Sequence, residues 1–160
     1  MTEPMSPRPA GAADVRTILA IRVPGIPVPQ GSMRWFVRGG KVALTGDNPA
    51  LRSWRRDVTD AFLAAGKITT AGPLWVSLEF AVLRTRGHFG TGRNALNVRP
   101  TAPGWPATRP DIDKLARAII DAGTVAGIWL DEGQVVVLEA RKIFATSGHP
   151  PGVFIRVEAL

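Results

Sequence analysis

The sequence contains no cysteine. Disulfides, thiol nucleophiles, iron–sulfur clusters and cysteine zinc sites are therefore excluded. Histidine is scarce: His88 and His149 stand far apart, each beside glycine or proline. Two such residues read as loop surface and do not make a histidine zinc site. No apolar run approaches the ~20 residues of a membrane span. Near the N-terminus Asp14, Arg16 and Arg22 interrupt the apolar stretch, which does not read as a signal peptide. The expectation is a cytoplasmic protein with no membrane partner.

What the chain does have is positive charge. Its 160 residues hold 20 Lys and Arg against 13 Asp and Glu, a net charge of +7. The length suits one domain, and 45% hydrophobic residues exclude wholesale disorder. A basic balance of this size points to a polyanionic partner, nucleic acid first.

Residues 1–14 are rich in proline and alanine without periodicity and read as a disordered tail, leaving 15–160 as the folded domain. Thr17–Val23 reads as a strand that Pro24 stops. Met33–Thr45 reads as a hairpin turning at Gly39-Gly40, made basic by Arg34, Arg38 and Lys41. Asp47 or Asn48 caps a helix with Pro49 in its first turn. Leu51, Trp54, Val58, Phe62 and Ala65 form its apolar face, and Gly66 closes it. Leu74, Val76, Leu78, Phe80 and Val82 alternate strictly, which predicts a strand over Leu74–Leu83.

Residues 84–109 have no periodicity and no acid, but contain Arg84, Arg86, Arg93, Arg99 and Arg109. A loop this long in a small domain is functional or disordered. The arginines favour a basic loop that orders on nucleic acid. A second helix is expected from Ile112 to Ala122, ended by Gly123, with Leu115, Ala116, Ile119 and Ile120 buried. A short strand Ile128–Leu130, a turn at Asp131-Glu132-Gly133, and strands Val135–Phe144 and Val153–Glu158 complete the chain. The order predicts a single α+β domain, a mixed sheet with helices on one side.

Residues 111–132 reverse the charge. Asp111, Asp113, Asp121, Asp131 and Glu132 face only Lys114 and Arg117, a net −3 in a chain that is otherwise +10. Like charges held together repel, and a divalent cation removes that cost. Asp111 and Asp113 sit where the second helix begins. Asp131-Glu132 follows a strand expected to run back beside it. Carboxylates converging there would form an all-oxygen site suited to Mg²⁺, with Mn²⁺ able to substitute. The plainer reading makes Asp111 an N-cap, Asp113 a helix-dipole partner and Asp131-Glu132 a polar turn.

The run RPDIDKLARAIIDAGTVAGIWLDEGQVV resembles the RusA family of Holliday-junction resolvases. The likeness lies in Asp111-x-Asp113, the helix bearing Asp121, and Gly127-Ile128-Trp129-Leu130-Asp131-Glu132-x-Gln134-Val135. PVPQGSMR (Pro27–Arg34) resembles the family's N-terminal element, and HFGTGRN (His88–Asn94) resembles an insertion of actinobacterial and phage members. The resemblance implies a RusA-like fold and a homodimeric, Mg²⁺-dependent endonuclease of recombination and repair, which cuts four-way junctions with one active site per subunit. It makes Asp111 and Asp113 metal ligands and places the third carboxylate at Glu132, with Asp131 in the preceding position. The family's usual Asn falls at Lys114 and its catalytic Lys at Arg117. Arginine keeps the positive charge but does not readily release a proton. Adjacent residues leaving a strand point to opposite sides. One of Asp131 and Glu132 should therefore face Asp111 and Asp113, while the other faces solvent or caps the turn at Gly133. Arg34, Arg38, Lys41, Arg84, Arg86, Arg93, Arg99 and Arg109 are the expected DNA contacts. The alternatives are a non-catalytic basic nucleic-acid-binding domain and a nuclease of flaps or forks.

Overall fold

The computed structural model describes residues 16–31, 34–38, 41–45, 48–66 and 70–160. The chain runs β1 (Arg16–Pro24), β2 (Arg34–Arg38), β3 (Lys41–Thr45), α1 (Pro49–Ala64), β4 (Leu74–Val82), α2 (Ile112–Ala126), β5 (Val135–Phe144) and β6 (Gly152–Ala159). Four strands form one sheet in the order β1-β6-β4-β5. Only the β4–β5 pair is parallel, so the sheet is mixed. β2 and β3 form a separate antiparallel ribbon in which Arg38 lies opposite Lys41, as the hairpin pattern predicts. The 1–14 tail, the Gly39-Gly40 turn and Asp47 lie outside the described residues.

The alternating residues of β4 face the helices. Leu74, Val76, Leu78 and Phe80 are fully buried, in one core with Val153, Ile155 and Val157 of β6 and the apolar faces of α1 and α2. Trp75 and Ala81, on the opposite face of β4, are buried as well. A strand with a neighbour on each edge is more enclosed than its alternation alone predicts.

Asn48 caps α1, its side chain accepting a hydrogen bond from the Ala50 amide at 3.0 Å, and Pro49 opens the first turn. Leu51, Trp54, Val58 and Phe62 are buried. Ala65 departs from the expected face: it is the exposed C-cap residue. Gly66 follows it in a left-handed conformation at φ 98°.

Two expectations after Ile112 need correction. α2 does not stop at Gly123 but runs to Ala126, and Gly127 ends it at φ 70°. Gly123 is a packing glycine, because a Cβ there would lie 2.3 Å from the Trp129 ring. Ile128–Leu130 is not a strand. Trp129 makes one parallel bridge pair with Thr70 and is buried edge-on to Phe62, the ring centroids 6.2 Å apart. Its indole N–H donates to Thr124 Oγ1 at 2.9 Å. Burying that ring takes the segment out of sheet register. Among the described residues no helix is long and apolar enough to cross a membrane.

Candidate active site and basic cleft

Asp111 immediately precedes α2, and Asp113 lies in its first turn. The Asp111 side chain makes no capping hydrogen bond. Its carboxylate instead pairs with Lys114 Nζ at 3.1 Å. Asp113 and Arg117 are exposed and one helical turn apart, and neither makes a hydrogen bond or ion pair to a described residue. Two contacts that the sequence pattern does not announce hold this end in place. Lys142 of β5 donates to the carbonyls of Thr108 and Pro110, each at 2.8 Å. The Gln30 amide donates to the Lys114 carbonyl at 3.0 Å, seating the Pro27–Gly31 segment against the first turn.

Asp131 and Glu132 occupy a tight turn closed by a capping box. The Asp131 carboxylate accepts from the Gly133 amide at 2.6 Å, so it caps this turn. Gln134 Oε1 accepts from the Leu130 and Asp131 amides at 2.7 and 3.2 Å, while its Nε2 donates to the Thr70 and Gly72 carbonyls. Glu132 is exposed and makes no hydrogen bond or ion pair to a described residue.

This turn is not beside Asp111. β5 starts at Val135, next to the turn, and its far end carries Lys142, which touches the residues before α2. β5 therefore runs antiparallel to α2, and Glu132 lies beyond the opposite helix end. The helix has 15 residues, which at 1.5 Å each put on the order of 20 Å between the two groups. The expected meeting of three carboxylates within one chain is not met. Among the described residues no group of three histidine, aspartate or glutamate side chains is placed to hold a metal. Asp121 is engaged elsewhere, 3.7 Å from Arg55, as a link between α1 and α2.

The basic segment 84–109 leaves the end of β4 and returns at Asp111, the same end of the fold. Backbone hydrogen bonds within it shape it, with Gly90 donating to Asn97 and Arg99 to His88, both at 2.9 Å. Phe89 and Val98 form a bridge pair that brackets a short 3-10 turn at Gly92–Asn94, and a second such turn at Arg86–His88 precedes Phe89. The segment borders an open cleft of about 670 Å³ to which Arg84, Arg86 and Arg99 contribute. Arg93 and Arg109 are exposed outside it. Arg34 and Arg38 end β2, and Lys41 begins β3. Leu96 and Trp105 stand out as apolar side chains 92% and 67% exposed. A sequence without periodicity gives no sign of which apolar residues face water.

An α+β domain with acids at a helix start, beside an arginine-lined cleft and loop, belongs among proteins that handle nucleic acid. The family model described as Endodeoxyribonuclease RusA matches residues 24–158. The chain belongs to that family, a family of endonucleases that act on Holliday junctions. No curated protein matches the sequence.

Proposed function

We propose that this protein is a cytoplasmic, homodimeric, metal-dependent endonuclease that resolves four-way DNA junctions by paired phosphodiester hydrolysis. The observation that carries the reading is the pairing of Asp111 and Asp113 at the start of α2, one turn from Arg117, at the end of the fold where the basic loop opens.

The donor chemistry suits a hard cation, since Asp111 and Asp113 offer carboxylate oxygens only. Geometry does not complete a site in one chain. A two-fold axis that sets two α2–β5 edges antiparallel would bring Glu132 of the partner subunit to Asp111 and Asp113, giving one site per subunit. In support, Val125, Leu130, Val136 and Leu138 are exposed along α2, the following turn and β5, which is an edge strand. Exposed apolar groups on an unpaired strand edge are a common feature of association surfaces. Mg²⁺ or Mn²⁺ held there would make a bound water more acidic and offset charge on the phosphate.

The chain's own cations do the rest. Arg117 donates hydrogen bonds to the non-bridging phosphate oxygens and stays protonated, so it stabilises charge and does not serve as the acid. Lys114 holds Asp111 in place and counters its charge. Arg34, Arg38, Lys41, Arg84, Arg86, Arg93, Arg99 and Arg109 bind the arms through phosphates, which sets orientation without reading sequence.

Labelled four-way junctions, flaps, forks and linear duplex, each incubated with Mg²⁺ and with EDTA, test this. Symmetric cuts in the junction with Mg²⁺ alone are expected. Asp111→Asn or Asp113→Asn should lower the rate at least ~100-fold and leave junction binding intact or tighter. Full activity in either variant would remove these residues from the site. Cutting of flaps or forks alone would change the substrate, and binding without cutting would leave a nucleic-acid-binding domain.

A further inference from the structure

The cleft in the 84–109 segment is larger than a phosphate requires. Its volume of about 670 Å³ falls in the ~300–1,000 Å³ range of pockets that enclose organic ligands. Arg84, Arg86, Phe89, Thr91, Ala95 and Arg99 contribute to its walls. Arg84 is fixed in place: it donates to the Pro103 carbonyl at 2.9 Å, and its guanidinium lies 3.9 Å over the Phe144 ring. His88 braces that ring edge-on at 5.4 Å. Arg86 and Arg99 make no ion pair or side-chain hydrogen bond to a described residue. The segment carries no acid at all. Three arginines and one phenylalanine thus contribute to one cleft, and none of the three arginines is ion-paired to a described residue. Gly87 lies exposed in the lining, and a Cβ there would meet nothing within 4 Å.

We propose that this cleft receives one unpaired nucleotide of the bound DNA strand, its phosphate on Arg86 and Arg99 and its base against Phe89. Arginine suits phosphate through its forked donors, and an aromatic wall accepts any base because every base has a π-face. The inference rests on the junction-endonuclease reading, because unpairing costs least where the duplex is already interrupted. The position agrees. Phe144, beneath Arg84, ends the strand whose Lys142 touches Pro110, so the cleft and Asp111 lie at the same end of the sheet. A strand presenting its phosphate to Asp111 and Asp113 would pass the cleft.

An abasic scan tests it. The full-length protein is titrated in EDTA with four-way junctions that each lack one base near the branch point, and binding is read by fluorescence anisotropy. Wild type should lose about tenfold in affinity at one position, the scale of one base–aromatic contact, and under twofold elsewhere. Gly87→Leu, which adds bulk at the cleft lining, should bind the intact junction more weakly and show no further loss at that position. Ala95→Leu adds bulk at another point of the lining and serves if Gly87→Leu fails to fold. A flat scan in wild type, or the same tenfold loss in both leucine variants, overturns the proposal. Cleavage of the intact junction with Mg²⁺ is scored separately. A protein that cuts but scans flat keeps its activity and loses the nucleotide cleft. One that scans with a sharp loss but does not cut keeps the cleft and loses the nuclease.

Discussion

Asp131 turns its carboxylate back onto the Gly133 amide, whereas Glu132 is exposed and engages no described residue. Two adjacent acids thus have different work, and substitutions separate them. Asp131→Ala removes a cap and should cost about 1 kcal/mol of stability, while Asp131→Asn, a residue that caps equally well, should cost little. Neither should lower junction cleavage more than a few-fold. Glu132→Gln should leave the melting temperature unchanged and lower cleavage ~10–100-fold if Glu132 is the third ligand. Melting curves and single-turnover rates on the same preparations check this. A dead Asp131→Asn beside an active Glu132→Gln would transfer the role to Asp131. The cap at Gly133 is legible in the amino-acid pattern, because one of two adjacent acids must turn away from the other. The roles of Gln134 and Lys142 are not legible there. Their partners are carbonyls of Thr70, Gly72, Thr108 and Pro110, and a carbonyl leaves no mark in a sequence.

In α2 a glycine after an apolar helical face looks like a stop signal, and local pattern alone cannot tell a stop from a contact. Tertiary packing decides: the ring of Trp129 occupies the space where a Gly123 Cβ would be. On an open helix Gly→Ala is worth about 1 kcal/mol of added stability. Here the overlap should outweigh that gain, and Gly123→Ala should destabilise by ~1–3 kcal/mol. The nearest atoms belong to the far half of the indole ring, which phenylalanine lacks. Gly123→Ala should therefore cost much less in a Trp129→Phe background, and a denaturant-melt double-mutant cycle measures the difference. Equal costs in both backgrounds would show that the Trp129 ring is not what requires glycine. The helices, β4, β5 and β6 are legible from periodicity and turn residues. Ile128–Leu130 is not, because an apolar triplet has the same composition whether it pairs in a sheet or buries one large ring.

At the scale of the whole molecule, position along the chain is the poorest guide. Asp113 and Glu132 flank one helix in the chain, which invites a single site, yet β5 runs antiparallel to that helix and leaves them at its opposite ends. If sites form between subunits, each draws Asp111 and Asp113 from one chain and Glu132 from the other. Mixing then gives a sharp outcome. Asp113→Asn and Glu132→Gln homodimers should each cut far more slowly than wild type, by at least ~100-fold and ~10–100-fold respectively. Co-expressed and purified as a mixed dimer through two different affinity tags, they should regain one intact site, because the Glu132→Gln chain keeps its aspartates and its partner keeps the glutamate. The second site carries both lesions and stays dead. The mixed dimer should therefore nick four-way junctions at about half the wild-type rate per dimer and rarely make the paired cuts that complete resolution. A site built within one chain leaves no intact copy in the mixture, so an inactive mixed dimer that still binds the junction would return all three carboxylates to a single subunit.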